Sequence, residues 1–187
     1  MERISGSLPS ENVYIHIRVM QKMMVCDYSD FRLGLAEKLG FVVCNPKTED
    51  FNEKAKSYFG TAHSLNGETA DIDCWLDAAG AESILEDFLQ IGKIESRFVS
   101  VAVNNMPRSI DLLHMTYAQQ SIIGSGGYMP EDVHDVQKIM SCGKWDLENI
   151  ITNEFPLDEL EQAIRTAGDV EHSGNVVVKM SPLNHQS

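Results

Sequence analysis

The chain has 187 residues, with 15 Lys and Arg against 28 Asp and Glu, a formal net charge of −13. So acidic a balance excludes nucleic acid and anionic membrane surfaces as partners, since both are recognised by a basic footprint. No run approaches the roughly 18 consecutive apolar residues of a membrane span, and the opening Met1–Ser10 lacks the apolar centre of a signal peptide. The expectation is a soluble, cytoplasmic chain of one domain or slightly more, long enough to bury a core without disulfides or metals.

The four cysteines, Cys26, Cys44, Cys74 and Cys142, form no C-x-x-C and have no histidine at metal-ligand spacing. The first three sit inside short apolar runs and read as small hydrophobes. The six histidines are scattered, so the residues themselves predict no metal site.

Residues 1–21 fit no clear element. Val13, Ile15, Ile17 and Val19 alternate as in a half-exposed strand, while Val13, Ile17, Met20 and Met24 align as on a helix; both readings stay open. Beyond them, strands are predicted at Met23–Cys26, Phe41–Cys44, Ile72–Leu76, Phe98–Val103, Gln120–Gly124 and Val176–Lys179. They are short and apolar on both faces, as in a buried parallel sheet. Helices are predicted between them. Ser29 caps Asp30–Leu39, with Phe31, Leu35 and Leu39 on one face and Gly40 as a stop. Glu82–Leu89 carries Ile84, Leu85, Phe88 and Leu89 on one stripe. Pro130 opens Glu131–Ser141, with Gly143 past its end, and Pro156 opens Leu157–Ala167, which ends at Gly168. Asn66-Gly67 reads as a loop. The alternation predicts an α/β, doubly wound parallel sheet.

In such a sheet, ligands bind outside the carboxyl ends of the strands. Asp27, directly after Met24-Val25-Cys26 and just before a capped helix, is placed to accept hydrogen bonds from a ribose diol. A carboxylate there also repels a 2′-phosphate and favours NAD over NADP. Arg32 flanks it or is a solvated helix arginine. Ala78, Ala79 and Gly80 follow one strand, Val101, Ala102 and Val103 end another, and Ser125 and Gly126 follow a third; such small residues let a flat ring come close. There is no G-x-G-x-x-G between a strand and a helix, and no Lys-Ser/Thr follows the glycines at 124, 126 and 127.

The order of these segments resembles the zinc-type medium-chain alcohol dehydrogenases, in the style of the sorbitol, butanediol and threonine dehydrogenases. The resemblance is carried by Asp27-Tyr28-Ser29-Asp30-Phe31-Arg32-Leu33, Ala36-Glu37-Lys38-Leu39-Gly40, Asn45-Pro46-Lys47 and Ala70-Asp71-Ile72-Asp73. It continues through Asp77-Ala78-Ala79-Gly80, Ile123–Tyr128, Ile150–Leu157 and Gly174–Lys179, and so covers roughly residues 22 to 180. It implies a Rossmann domain serving NAD-dependent, zinc-assisted oxidation of a secondary alcohol or polyol. By position, Asp27 would hold the adenosine ribose with Arg32 beside it, and Ala78 and Ala79 would wall the adenine side. Val101, Ala102 and Val103 would meet the nicotinamide end, with Ser125 and Gly126 nearby. Asn175 would be a cofactor-binding position where a basic residue is common, and Gly127 stands where some relatives carry Arg. Members of this type dimerise by extending the sheet at the strand matching Gln120–Gly124, so a homodimer, or association with a full-length relative, is implied.

The departures from the family pattern are large. The amino-terminal catalytic domain with its zinc ligands and proton relay, the first Rossmann strand, the Gly-rich turn and its helix have no counterpart here. Zinc is therefore expected only in the full-length family, NAD affinity should be weak or lost, and turnover is not expected from the chain alone. The division implied is an atypical segment 1–21, a partial Rossmann domain 22–150, and a helix and strand at 151–187 that return toward the catalytic domain in the family. Without a first strand, two inner sheet edges are left unpaired. Val13–Val19 would repair this only in part: the three residues before Met23 are too few for a parallel crossover. Pairing it antiparallel would turn His16 or Arg18 toward a helix-covered layer. The remaining readings are a non-catalytic dinucleotide-binding or dimerisation module and, more remotely, another Rossmann-like enzyme such as a methyltransferase.

Overall fold

The computed structural model describes residues 22–144 and 146–180. The two readings of Val13–Val19 fall outside these described residues, except that Met24, aligned with them in the helical reading, lies in a strand. Strand β1 (Met24–Cys26) and strand β2 (Val42–Cys44) pair in parallel, with Met24 opposite Val42 and Cys26 opposite Cys44. Helix α1 (Asp30–Lys38) crosses between them. Ser29 caps it as expected, its Oγ accepting from the Arg32 N–H at 3.3 Å. Gly40 follows at φ +89°, a left-handed turn that suits glycine. The predicted stripe of Phe31, Leu35 and Leu39 is corrected: Leu33 is the buried residue of α1, and Phe31 is 38% exposed.

Helix α2 (Phe51–Phe59) was not anticipated. Asp50 caps it, accepting from the Glu53 N–H at 3.0 Å, and Gly60 closes it at φ +99°. Strands β3 (Thr61–Ser64) and β4 (Gly67–Ala70) form an antiparallel hairpin, so the loop expected at Asn66-Gly67 is its turn. Asn66 Nδ2 donates to the Gln90 carbonyl at 2.9 Å and leans the hairpin on the next helix.

A three-stranded parallel sheet follows in the order β5 (Cys74–Asp77), β6 (Arg97–Ser100), β7 (Ser121–Gly124). Its crossovers contain α3 (Glu82–Ile91) and α4 (Leu112–Ala118). Predicted strand Phe98–Val103 stops early, at Ser100, because the Val101 and Ala102 N–H groups turn to the Asp77 carbonyl at 2.9 and 3.0 Å. Gln120 also lies outside β7. Its side chain is buried and donates to the Phe88 and Gly92 carbonyls at 3.3 and 3.1 Å. The core is an aromatic chain. Phe88, fully buried, lies 5.2 Å from Phe98 and 6.0 Å from Trp75, and Phe51 of α2 sits 5.2 Å from Trp75.

Helix α5 (Pro130–Ser141) precedes a last parallel pair, β8 (Ile151–Pro156) and β9 (Asn175–Lys179), covered by α6 (Leu160–Ala167) with Ala163 buried. Pro156 therefore ends a strand rather than opening a helix: a 3-10 turn at Leu157–Glu159 separates it from α6. Among the described strands, β1 pairs only with β2 and β5 only with β6. The architecture is of the Rossmann type, without a strand joining its three parallel parts, β1–β2, β5–β6–β7 and β8–β9, among the described residues. No helix of the described residues is long and apolar enough to cross a membrane.

Candidate functional site

Asp27 leaves β1 at its carboxyl end, half-buried. Its N–H donates to the Cys44 carbonyl at 3.3 Å, and its Oδ1 accepts from the Ser29 N–H at 2.8 Å. That closed Asx turn fixes one carboxylate oxygen. The other takes no hydrogen bond among the described residues, which leaves an acceptor for a hydroxyl pair. Tyr28, next in the chain, is half exposed, and Lys47 Nζ stands 4.9 Å from its ring centroid.

The turn after β2 packs on this loop. Asn45 is buried and bonds to both Tyr28 and Asp30. Glu49 accepts from Lys54 at 2.5 Å and from the Asn45 N–H at 3.0 Å, and these bonds hold its carboxyl below the usual range. Cys26 and Cys44, opposite each other in register, flank the same place. Burial, and then the neighbouring Cys44 thiol, push the Cys26 thiol up to about 12; burial and Glu49 raise Cys44. The reading of these cysteines as small hydrophobes is met at Cys44, which is fully buried, and partly at Cys74. Cys26 departs from it: the residue as a whole is exposed, while its thiol is desolvated against Cys44.

A second cluster lies at the ends of β5, β6 and β7. The buried Asp77 accepts at Oδ1 from the Ala79 and Gly80 N–H groups at 3.0 and 2.7 Å, shaping the turn past β5. Gly80 adopts φ +73° and lies so close to the next strand that a Cβ there would meet the Ala102 Cβ at 3.2 Å. Asn104 Nδ2 donates to the Gly80 carbonyl at 2.9 Å, and the Ser125 N–H donates to the Ser100 carbonyl at 2.9 Å. The loops that carry Ala78 and Ala79, Val101 to Val103, and Ser125 and Gly126 thus leave the same carboxyl edge of the sheet. A cleft of about 200 Å³ opens beside it, lined by Asp77, Gly80, Ser100, Asn104, Arg108 and Ile122 among others.

The last two candidates lie elsewhere. Arg32 Nε donates to the Ser173 carbonyl at 3.3 Å, and Asn175 opens β9 two residues on. Arg32 is therefore engaged with the turn before β9 as well as standing five residues past Asp27. Asn45, Lys47 and Asp77 were missed as site residues. The signal was an Asn-Pro, and an Asp before small residues, directly after a strand, where Asx side chains build turns. No group of three or more His, Cys, Asp or Glu able to hold a metal occurs among the described residues.

The family profile described as "Zinc-binding dehydrogenase" matches residues 17–142. Curated relatives include L-threonine 3-dehydrogenase of Bacillus subtilis, 27% identical over 143 residues, 75% of this chain and 39% of that protein. Another is (R,R)-butanediol dehydrogenase of Saccharomyces cerevisiae, 24% identical over 169 residues, 88% of this chain and 43% of that one. Among solved structures, 2R,3R-butanediol dehydrogenase of Bacillus subtilis superposes with a TM-score of 0.69 at 18% identity, over 84% of this chain and 43% of its own. An Escherichia coli alcohol dehydrogenase complexed with NADH gives 0.68 at 20%, over 85% and 44%. At these identities the structures speak for the fold. The chain spans about two fifths of the length of the relatives it matches.

With the sheet order, the crossovers and the profile match agreeing, the chain belongs to the zinc-binding dehydrogenase family. It matches the carboxyl-terminal, nucleotide-binding part of the medium-chain alcohol dehydrogenases, which is the expected resemblance.

Proposed function

We propose that this chain is the NAD(H)-binding part of an alcohol or polyol dehydrogenase. The observation that carries the reading is the Asp27 carboxylate, fixed at Oδ1 by the Ser29 N–H at the carboxyl end of β1 with its second oxygen turned to no described partner. Such an acid accepts from the two ribose hydroxyls of adenosine and repels a 2′-phosphate. Ala78 and Ala79 line the adenine side. Val101, Ala102 and Val103 offer backbone groups to the nicotinamide end, Ser125 and Gly126 complete the rim, and Asn175, which opens β9 away from that rim, is the remaining cofactor-binding position of the reading.

The residues fit such a group. Gly80 leaves room where a side chain would crowd Ala102, and the positions around Gly124 and Gly126 are open. When bound, the dinucleotide supplies a hydride acceptor; this chain's residues bind and orient it. We propose no alcohol turnover by the chain alone, because polarising an alcohol needs a metal or a positioned proton acceptor. Zinc would then enter only with the remainder of a full-length relative. A homodimer through β7, whose Ile123 is 45% exposed, extends the same reading.

Titration of the purified chain with NADH and NADPH, followed by nicotinamide fluorescence, tests the proposal. Weak but saturable binding that favours NADH is expected. A folded chain that binds neither would end the reading, and production of NADH from NAD and a secondary alcohol with zinc added would end its second part.

A further inference from the structure

Asn45 is only 5% exposed, yet nothing in the ribose reading uses it. Its Nδ2 donates to Asp30 Oδ1 at 2.6 Å and to the Tyr28 carbonyl at 3.4 Å, while its Oδ1 accepts from the Lys47 N–H at 3.1 Å. The partners settle which way the amide faces: a carboxylate and a carbonyl need the NH₂ group, and an N–H needs the oxygen. The Asn45 backbone is fixed too, its N–H held by Glu49 Oε2 at 3.0 Å and its carbonyl taking the Thr48 and Glu49 N–H groups at 3.0 and 2.9 Å.

The two groups that this amide grips lie on Tyr28 and Asp30, one and three positions after Asp27. Asp27 itself is tied at its N–H to Cys44, the residue before Asn45. The loop that presents the carboxylate is therefore held from β2 at several points, and the Asn45 side chain supplies the part that an apolar residue of the same size would not. A buried amide is costly unless its polar atoms are bonded, and here both are.

We propose that Asn45 is a positioning residue for the Asp27 carboxylate and, through it, a determinant of the preference for NAD(H) over NADP(H). The proposal rests on the reading of Asp27 as the ribose acceptor. Without the amide, the Tyr28 carbonyl and the Asp30 carboxylate lose their common partner and the loop turns more freely. The carboxylate then meets the ribose hydroxyls less often, and it stands less firmly against a 2′-phosphate.

Dissociation constants for NADH and NADPH, measured on the full chain and its variants, provide the test. Asn45→Ala is expected to weaken NADH about tenfold while leaving NADPH nearly unchanged, so the ratio between them narrows. In an Asp27→Ala background the same substitution should add nothing, because the group it positions is gone. Asn45→Asp, of the same size but with no donor for the Tyr28 carbonyl or for Asp30, should behave like Asn45→Ala and decides the matter if that variant does not fold. Equal weakening of NADH and NADPH, or additivity with Asp27→Ala, would each overturn the proposal. Loss of NADH preference on Asp27→Ala with none on Asn45→Ala would overturn it while leaving the ribose reading intact. If the unsubstituted chain binds neither nucleotide, the ribose reading fails first and takes this proposal with it.

Discussion

Arg32 Nε donates to the Ser173 carbonyl at 3.3 Å, joining positions 141 apart in the chain. The bond fastens α1, the helix that begins beside Asp27, to the turn that leads into β9. Ser173 is fully buried, and its Oγ donates to the Asp169 carbonyl at 2.7 Å, so the acceptor is itself held rigidly. Next to it Gly174 packs so closely that a Cβ would meet Leu35 at 3.1 Å and Thr152 at 3.0 Å. The guanidinium thus has a structural duty besides any contact with a nucleotide.

Arg32→Ala should accordingly destabilise the chain by about 1 kcal/mol in the absence of any nucleotide. Urea unfolding followed by circular dichroism measures this. An unchanged midpoint would mean that the bond to Ser173 contributes nothing and that Arg32 serves the site alone.

The centre of the core is Phe88, fully buried between Trp75 and Phe98. Phe88→Ala removes the ring that joins α3 to both β5 and β6, and should cost about 3–5 kcal/mol. A shift of the thermal midpoint too small to match that loss would place the stability of the chain elsewhere.

Asp87, on the same helix, has its carboxyl pushed up by burial and secondarily by Glu86. A carboxyl raised in the folded state favours folding while protonated, and that advantage is lost as pH rises through its folded value. Asp87→Asn should therefore raise the thermal midpoint at neutral pH, with the gain vanishing below the ordinary aspartate range. A gain that persists unchanged at low pH would contradict the assigned cause.

Thiol labelling separates the cysteines. Cys44 is fully buried, and Cys26 is pushed up to about 12 beside it, so at neutral pH almost no thiolate is present at this pair. Cys142, exposed after α5, should react with a thiol reagent well before Cys26, and Cys44 only on unfolding. Mass spectrometry of peptides after brief alkylation checks the order, and early modification at Cys26 would contradict it.

Most of the alternation was legible because strongly apolar strands and punctuated helices announce themselves: Ser29, Gly40, Pro130 and the stripe through Phe88 all do what their chemistry dictates. Helix α2 was hidden because Asn52, Glu53, Lys54, Lys56 and Ser57 dilute its apolar residues, and its Phe51 is recognised as core only once Trp75 is seen beside it. Pro156 misled because a proline suits both the first turn of a helix and the last position of a strand. At the site, Asp27 was visible from its place after a strand. Asn45 was visible only as an Asn-Pro that turns the chain after a strand; its grip on Tyr28 and Asp30 was not, because those partners lie 15 to 17 positions away.

The central claim is that Asp27 holds the adenosine ribose of a dinucleotide. Isothermal titration of the chain and of Asp27→Ala with ADP-ribose, which carries that ribose and the phosphates without the nicotinamide, tests it most directly. Saturable binding by the unsubstituted chain, weakened at least tenfold by Asp27→Ala with folding intact, is the predicted result. Equal affinity in the two proteins, or none in either while both are folded, would contradict it.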